Sequence, residues 1–165
     1  MKAYRFDLSP ARIFCVAMAL ACMALIFMFS TENADDSTDT SGSVIEALLD
    51  LVKPDFRQMP ADEQEALIFR WQHVVRKTAH FTINLALGFF VSGAVSHRKA
   101  LSHGTAGSVG FCFLHACTDE FHQSFIPGRS GQFSDVLLDT FGACWGILIS
   151  LGLLFLIHKR KTAPQ

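Results

Sequence analysis

Asp119-Glu120-Phe121-His122-Gln123-Ser124-Phe125-Ile126-Pro127-Gly128-Arg129-Ser130-Gly131-Gln132-Phe133-Ser134-Asp135-Val136-Leu137-Leu138-Asp139 lies between two strongly apolar segments. The stretch gathers four carboxylates, one histidine and one arginine. Pro127-Gly128, followed by Ser130-Gly131, marks an irregular turn between them. A new helix is expected near Ser134, with that serine placed to cap it. An apolar helix, a polar turn and a second apolar helix describe a chain that reaches one face of a membrane and turns back. Ionisable groups at such helix ends are costly, so they hold a ligand or hold one another.

The rest of the chain fits that frame. Of its 165 residues, 50% are hydrophobic and only 18% charged, and the apolar residues fall in blocks rather than evenly. Mean hydropathy is positive, at +0.31. The net charge of -1 offers no basic surface, and no Lys/Arg run suits a nucleic-acid backbone, so nucleic-acid binding is excluded from the expected partners. Cys15, Cys22, Cys112, Cys117 and Cys144 all fall inside apolar blocks, and no C-x-x-C pair occurs. They read as small buried hydrophobes, not as a disulfide framework or a zinc site.

Four apolar segments, at about 13–29, 79–96, 104–121 and 136–157, are each long enough to cross a hydrocarbon core of about 30 Å. The first has a basic flank (Lys2, Arg5, Arg12) and is short, as in a signal peptide, but Glu32-Asn33-Ala34 lacks the small-x-small pattern of a cleavage site. It is therefore read as an uncleaved span. Residues 30–78 form the hydrophilic segment. It opens on Ser30-Thr31-Glu32-Asn33-Ala34-Asp35-Asp36, a composition that predicts a flexible stretch. Val44, Ile45, Leu48, Leu49 and Val52 then recur at helical spacing up to Pro54. A second helix is expected after Pro60, with Asp62, Glu63 and Glu65 in its first turns, continuing through His80 into the second span.

The expected fold class is thus all-α: an integral membrane bundle of four transmembrane helices with a short amphipathic helical extracytoplasmic segment, one domain over residues 1–165. Gly142-x-x-x-Gly146, extended by Ser150, and the pair Gly104 and Ser108 are expected to let helix backbones approach closely. Lys2, Arg5, Arg12, Arg98, Lys99, Lys159, Arg160 and Lys161 would lie on one side, against Lys53, Arg57, Arg70, Arg76, Lys77 and Arg129 on the other. Weighted toward span ends, the bias places both termini in the cytoplasm and the chain in the inner (cytoplasmic) membrane.

That topology collects one set of residues at the outer face. Lys77 and His80 sit at the start of the second span. Asp119, His122 and Gln123 share a face at the end of the third, with His115 one turn deeper. Asp135 and Asp139 occupy successive turns of the fourth, and Arg129 lies in the turn between.

These residues resemble a known family. Arg76-Lys77-x-x-His80-Phe81, Leu87-Gly88, Asp119-Glu120-x-x-Gln123, Phe125-x-Pro127-Gly128-Arg129 and Asp135 with Gly142 and Gly146 are similar to the VanZ-like membrane proteins. The likeness covers nearly the whole chain. Asn84 stands where that family commonly has an aromatic residue, and Asp139 where it often has Asn. The resemblance implies a cell-envelope membrane protein; the founding member of the family is linked to teicoplanin resistance.

Three functions compete for the cluster. In the first, Arg76, Lys77, His80, Asp119, Glu120, Gln123, Arg129, Asp135 and Asp139 bind an anionic membrane lipid or lipid-linked envelope precursor, with the Arg129 fork on its phosphate. The second is an enzyme, with His80 or His122 as general base and Glu120 or Asp119 orienting it. In a metal-assisted version, Asp119, Glu120, His122, Asp135 and Asp139 hold a divalent ion. No nucleophile elbow, H-E-x-x-H or phosphate loop is present, and no cofactor is expected. In the third, the groups only lock helix ends together: Arg129 with Asp119 or Asp135, Lys77 with Glu120, and His80 with a carboxylate.

Overall fold

Pro10 opens the first helix, α1 (Pro10–Thr31), at a position where its missing N–H leaves nothing unsatisfied. The structure, a computed structural model, describes residues 9–95 and 102–162. Four further helices follow: α2 (Ala34–Val52), α3 (Ala61–Val95), α4 (His103–Gln123) and α5 (Phe133–Thr162). A short 3₁₀ turn (Phe56–Gln58) joins α2 to α3, and among the described residues no strand occurs. Lys2, Arg5, Arg98 and Lys99, which enter the expected orientation, lie outside the described residues, as does the side chain of Lys161.

Two expectations for the hydrophilic segment change. The break after α1 is confined to Glu32 and Asn33, and α2 starts ten residues before Val44. Ser37 and Ser41 are buried, and Ser41 Oγ donates to the Ser37 carbonyl at 2.7 Å. This bond to the preceding turn satisfies a small hydroxyl within the helix. Gly42 brings α2 against Ile68 of α3. Tertiary packing thus overrides a turn-forming composition. By contrast, the helix expected to run from the hydrophilic segment into the second apolar block is continuous: α3 spans 35 residues.

Among the described residues, three helices are long and apolar enough to cross a membrane: α1, α3 and the Phe133–Arg160 portion of α5. The expected third span, 104–121, is not among them, so the count of four is corrected to three. The helix is long enough at 21 residues, but His115, Asp119, Glu120, His122 and Gln123 make it too polar. Those groups have a place to go. Ser108, Cys112, Ala116, Asp119 and Gln123 form a buried stripe facing the other helices, while Phe111, Leu114 and Phe121 are exposed.

The helices are arranged by close backbone contact. A Cβ on Gly142 would lie 2.6 Å from the Phe81 carbonyl, and one on Gly146 would overlap that of Leu85. A Cβ on Gly88 would strike the Ala143 carbonyl in return. Contacts advance by one turn on both helices together, so α3 and α5 run parallel. The G-x-x-x-G expectation therefore holds at this interface. At the far end of α3, Arg12 of α1 donates Nε to the Ala94 carbonyl at 2.6 Å and Nη2 to that of Val95 at 3.2 Å. The start of α1 thus lies beside the end of α3, which makes the two antiparallel. Ile26, Leu87, Val91 and Cys112 fill the core between α1, α3 and α4.

Candidate functional site

The end of α1, the middle of α3, the end of α4 and the start of α5 meet at one end of the bundle. Ser30, fully buried, donates Oγ to Asp119 Oδ2 at 2.9 Å, joining α1 to α4. Gln123, one turn later, donates Nε2 to the same oxygen at 2.9 Å. Its Oε1 accepts from Arg129 Nη1 at 3.3 Å. A chain of polar contacts therefore leads from the buried carboxylate to the arginine in the turn.

The turn is held by its backbone. Gly128 adopts φ 75°, in the left-handed region that favours glycine. A Cβ on Gly131 would strike the Glu120 carbonyl. Glu120 Oε2 accepts from the backbone N–H of Gln132 at 2.9 Å, fixing the entry into α5. That helix begins at Phe133, so Ser134 sits in its first turn instead of capping it. On the facing helix, Lys77 Nζ pairs with Asp135 Oδ1, and His80 Nδ1 lies 3.9 Å from Asp139 Oδ2. Asn84, 1% exposed, donates Nδ2 to the His80 carbonyl at 3.0 Å.

Of the pairings expected of a purely structural lock, His80 with a carboxylate is met by Asp139, and the other two differ. Lys77 takes Asp135 and not Glu120, whose carboxylate is occupied by a backbone donor. Arg129 meets the neutral Gln123 amide. Its Nε, and that of Arg76, are buried without a hydrogen-bond partner. Burial, with the nearby Arg76, draws the Arg129 guanidinium below its usual value, against the opposing pull of Glu32, Asp119 and Glu120.

A cavity of about 150 Å³ lies among these groups. Arg76, Lys77, His80, Glu120, Gln123, Arg129, Asp135 and Asp139 all line it. Asp119, the remaining expected ligand, does not; it stands behind Gln123. Of the catalytic candidates, His80 and Glu120 reach the cavity. His122 does not: its ring stacks on Phe27 of α1, centroids 5.1 Å apart. His115 is likewise absent from the lining. Ser30, His73 and the Gln132 backbone N–H are site groups that the sequence reading missed. Backbone donors leave no residue-type signal, and Ser30 looks like an ordinary span end.

A second cavity of about 660 Å³ opens between α1, α2 and α3. Its walls are apolar, with Ile26, Phe29, Val44, Leu48, Val75 and Ile83 among them. Arg76, His80 and Arg129 line both cavities. A small polar cavity thus adjoins a larger apolar one.

The model of a protein family described as VanZ/LLP1 matches residues 14–156. The chain belongs to the VanZ/LLP1 family. Neither a curated protein nor a solved structure matches it. VanZ/LLP1 membership and the three apolar helices together point to a membrane protein. The matched region takes in every residue of the polar cavity, so the candidate site lies within the family domain.

Proposed function

We propose that this VanZ/LLP1 protein binds an anionic amphiphile of the cell envelope: a phosphate-bearing lipid or a lipid-linked precursor. The observation that carries the reading is the sharing of Arg76, His80 and Arg129 between the two cavities. An amphiphile has one anionic end and one or more hydrocarbon chains, and the paired chambers suit both parts. The buried Nε groups of Arg76 and Arg129 have no protein acceptor. Guanidinium donors of this kind match phosphate oxygens in pairs. Lys77 is held by Asp135, so the arginines are the donors left for a ligand.

In this reading the site lies on the outer face of the cytoplasmic membrane, with the start of α1 and the end of α5 on the cytoplasmic side. The orientation rests on the sequence: Lys2, Arg5, Arg12, Arg98, Lys99, Lys159, Arg160 and Lys161 flank the spans on one side, against six positive residues on the other. Positive residues favour the cytoplasmic side.

The test is native mass spectrometry of the protein extracted with its own lipids, beside Arg129→Ala and Arg57→Ala. Arg57 pairs with Asp50 and lines neither cavity. A defined anionic lipid held by wild type and Arg57→Ala but lost from folded Arg129→Ala is the expected result. If all three retain the same unselective lipids, the reading is wrong and the cluster serves only to register helices.

A further inference from the structure

Three helices each bring one side chain to a single point inside the polar end of the bundle. His80 of α3, Asp119 of α4 and Asp139 of α5 place one ligand-type atom apiece within 4.8 Å of one another. The two aspartates are 7% and 1% exposed. Carboxylates so close and so dry repel each other, and the arrangement is stable only if a proton or a cation intervenes. Nearby protein cations supply little of that charge. Lys77 is drawn to Asp135, and Arg129 donates to the neutral Gln123 amide. His80 Nδ1 stands 3.9 Å from Asp139 Oδ2, too far for a hydrogen bond but within ion-pair reach, so a protonated imidazole is, among the described residues, the one protein group that competes with a metal for this place.

A separate observation points to what fills the gap. Asp139 Oδ1 is buried and has no hydrogen-bond partner. Asp119 is supported differently: Ser30 Oγ and Gln123 Nε2 both donate to its Oδ2, which fixes the carboxylate's orientation. A ligand carboxylate held by outer donors, next to a second one with an unused buried oxygen and an imidazole, is the arrangement of a metal site.

We propose that His80, Asp119 and Asp139 form a divalent-cation site. One imidazole and two carboxylates, from three different helices, suit Mn²⁺ or Zn²⁺ better than the all-oxygen shell that Ca²⁺ prefers. The donor set differs from the one expected from sequence. Asp119 and Asp139 remain, His80 replaces His122, and Glu120 and Asp135 are already engaged by Gln132 and Lys77. The site does not depend on the anionic ligand, because its three donors can hold an ion whether or not an amphiphile sits beside Arg129.

The experiment uses the full-length protein in detergent micelles, stripped with chelator and titrated with Mn²⁺ alone, free ion being followed by electron paramagnetic resonance. One ion per chain is expected, with pulsed measurements showing hyperfine coupling to imidazole nitrogen. His80→Gln should abolish that coupling, and Asp139→Asn should weaken binding by at least about tenfold. Ser30→Ala, which only loosens Asp119, should weaken it by about 10- to 100-fold. Circular dichroism and elution volume establish that each variant is folded. If a variant does not fold, the wild-type stoichiometry and nitrogen coupling decide alone. Absence of stoichiometric uptake, uptake without nitrogen coupling, or unchanged affinity in folded Asp139→Asn would each overturn the proposal.

Discussion

Ser30 and Asp119, 89 positions apart in the chain, are joined by a buried hydrogen bond of 2.9 Å that ties the end of α1 to the end of α4. Gln123 bridges the same two residues, donating to Asp119 and, at 3.3 Å, to Ser30 Oγ. The carboxylate therefore keeps one donor when the serine is lost.

Ser30→Ala should lower the thermal stability of the detergent-solubilised protein by about 1.5–3 kcal/mol, the range for a hydrogen bond to a charged group. Gln123→Ala, which removes the other donor and the Arg129 acceptor, should cost at least as much. Differential scanning measurements on both variants check this. A neutral Ser30→Ala would mean that α1 is registered by apolar packing alone.

The glycines of the bundle divide sharply by surroundings. Gly146→Ala should destabilise by about 1–3 kcal/mol, because the added methyl overlaps the Leu85 carbonyl and forces α3 and α5 apart. Gly107→Ala and Gly110→Ala on α4 meet nothing within 4 Å and should be neutral or stabilising by up to about 1 kcal/mol through helix propensity. Unfolding midpoints of the three variants, taken side by side, supply the comparison. Equal losses at all three positions would contradict the parallel α3–α5 packing.

These contrasts show which features the sequence carries openly. Small residues at four-residue spacing encode a close helix pair, and Gly142 and Gly146 meet α3 as that spacing implies. Ionisable residues at the ends of apolar blocks encode a common site, and eight of the nine expected ligand residues line one cavity. Pairing within the site was less legible. The choice between Glu120 and Asp135 for Lys77 depends on where the Gln132 backbone N–H points, which no residue type reveals. The start of α2 was hidden too, because Ser37, Ser41 and Gly42 look like a loop until a neighbouring helix packs against them. In α4 the reverse occurred. Apolar residues announce a span, but the buried polar end that builds the site lowers the helix below the hydropathy of its neighbours.

Lys77 and Asp135 form an ion pair between α3 and α5, and both side chains are about one-third exposed. Solvent screening limits such a pair. In a double-mutant cycle of Lys77→Met and Asp135→Asn, a coupling energy of about 0.5–1 kcal/mol is expected. Asp135→Asn alone should lose more than Lys77→Met, since it strands a partly buried ammonium beside Arg76 and Arg129. Chemical denaturation in mixed micelles measures the cycle. Strict additivity would show that the pair is a surface contact without energetic consequence.

The opposite end of the bundle offers the last test. The Arg12 guanidinium donates to the carbonyls of Ala94 and Val95 in the last turn of α3. The arginine lies in the first turn of α1, so it closes the antiparallel pair at the end remote from the site. Arg12→Gln keeps some donor capacity but loses the charge and the fork, and Arg12→Lys keeps the charge but presents a single point donor. Both should therefore destabilise, by about 1–3 kcal/mol for Arg12→Gln and by less for Arg12→Lys. Because the contact lies far from Arg129, neither substitution should alter the lipids retained in native mass spectrometry. Stability lost together with lipid retention would tie the two ends of the bundle into one cooperative unit, and wild-type stability in Arg12→Gln would show that water replaces the guanidinium at the end of α3.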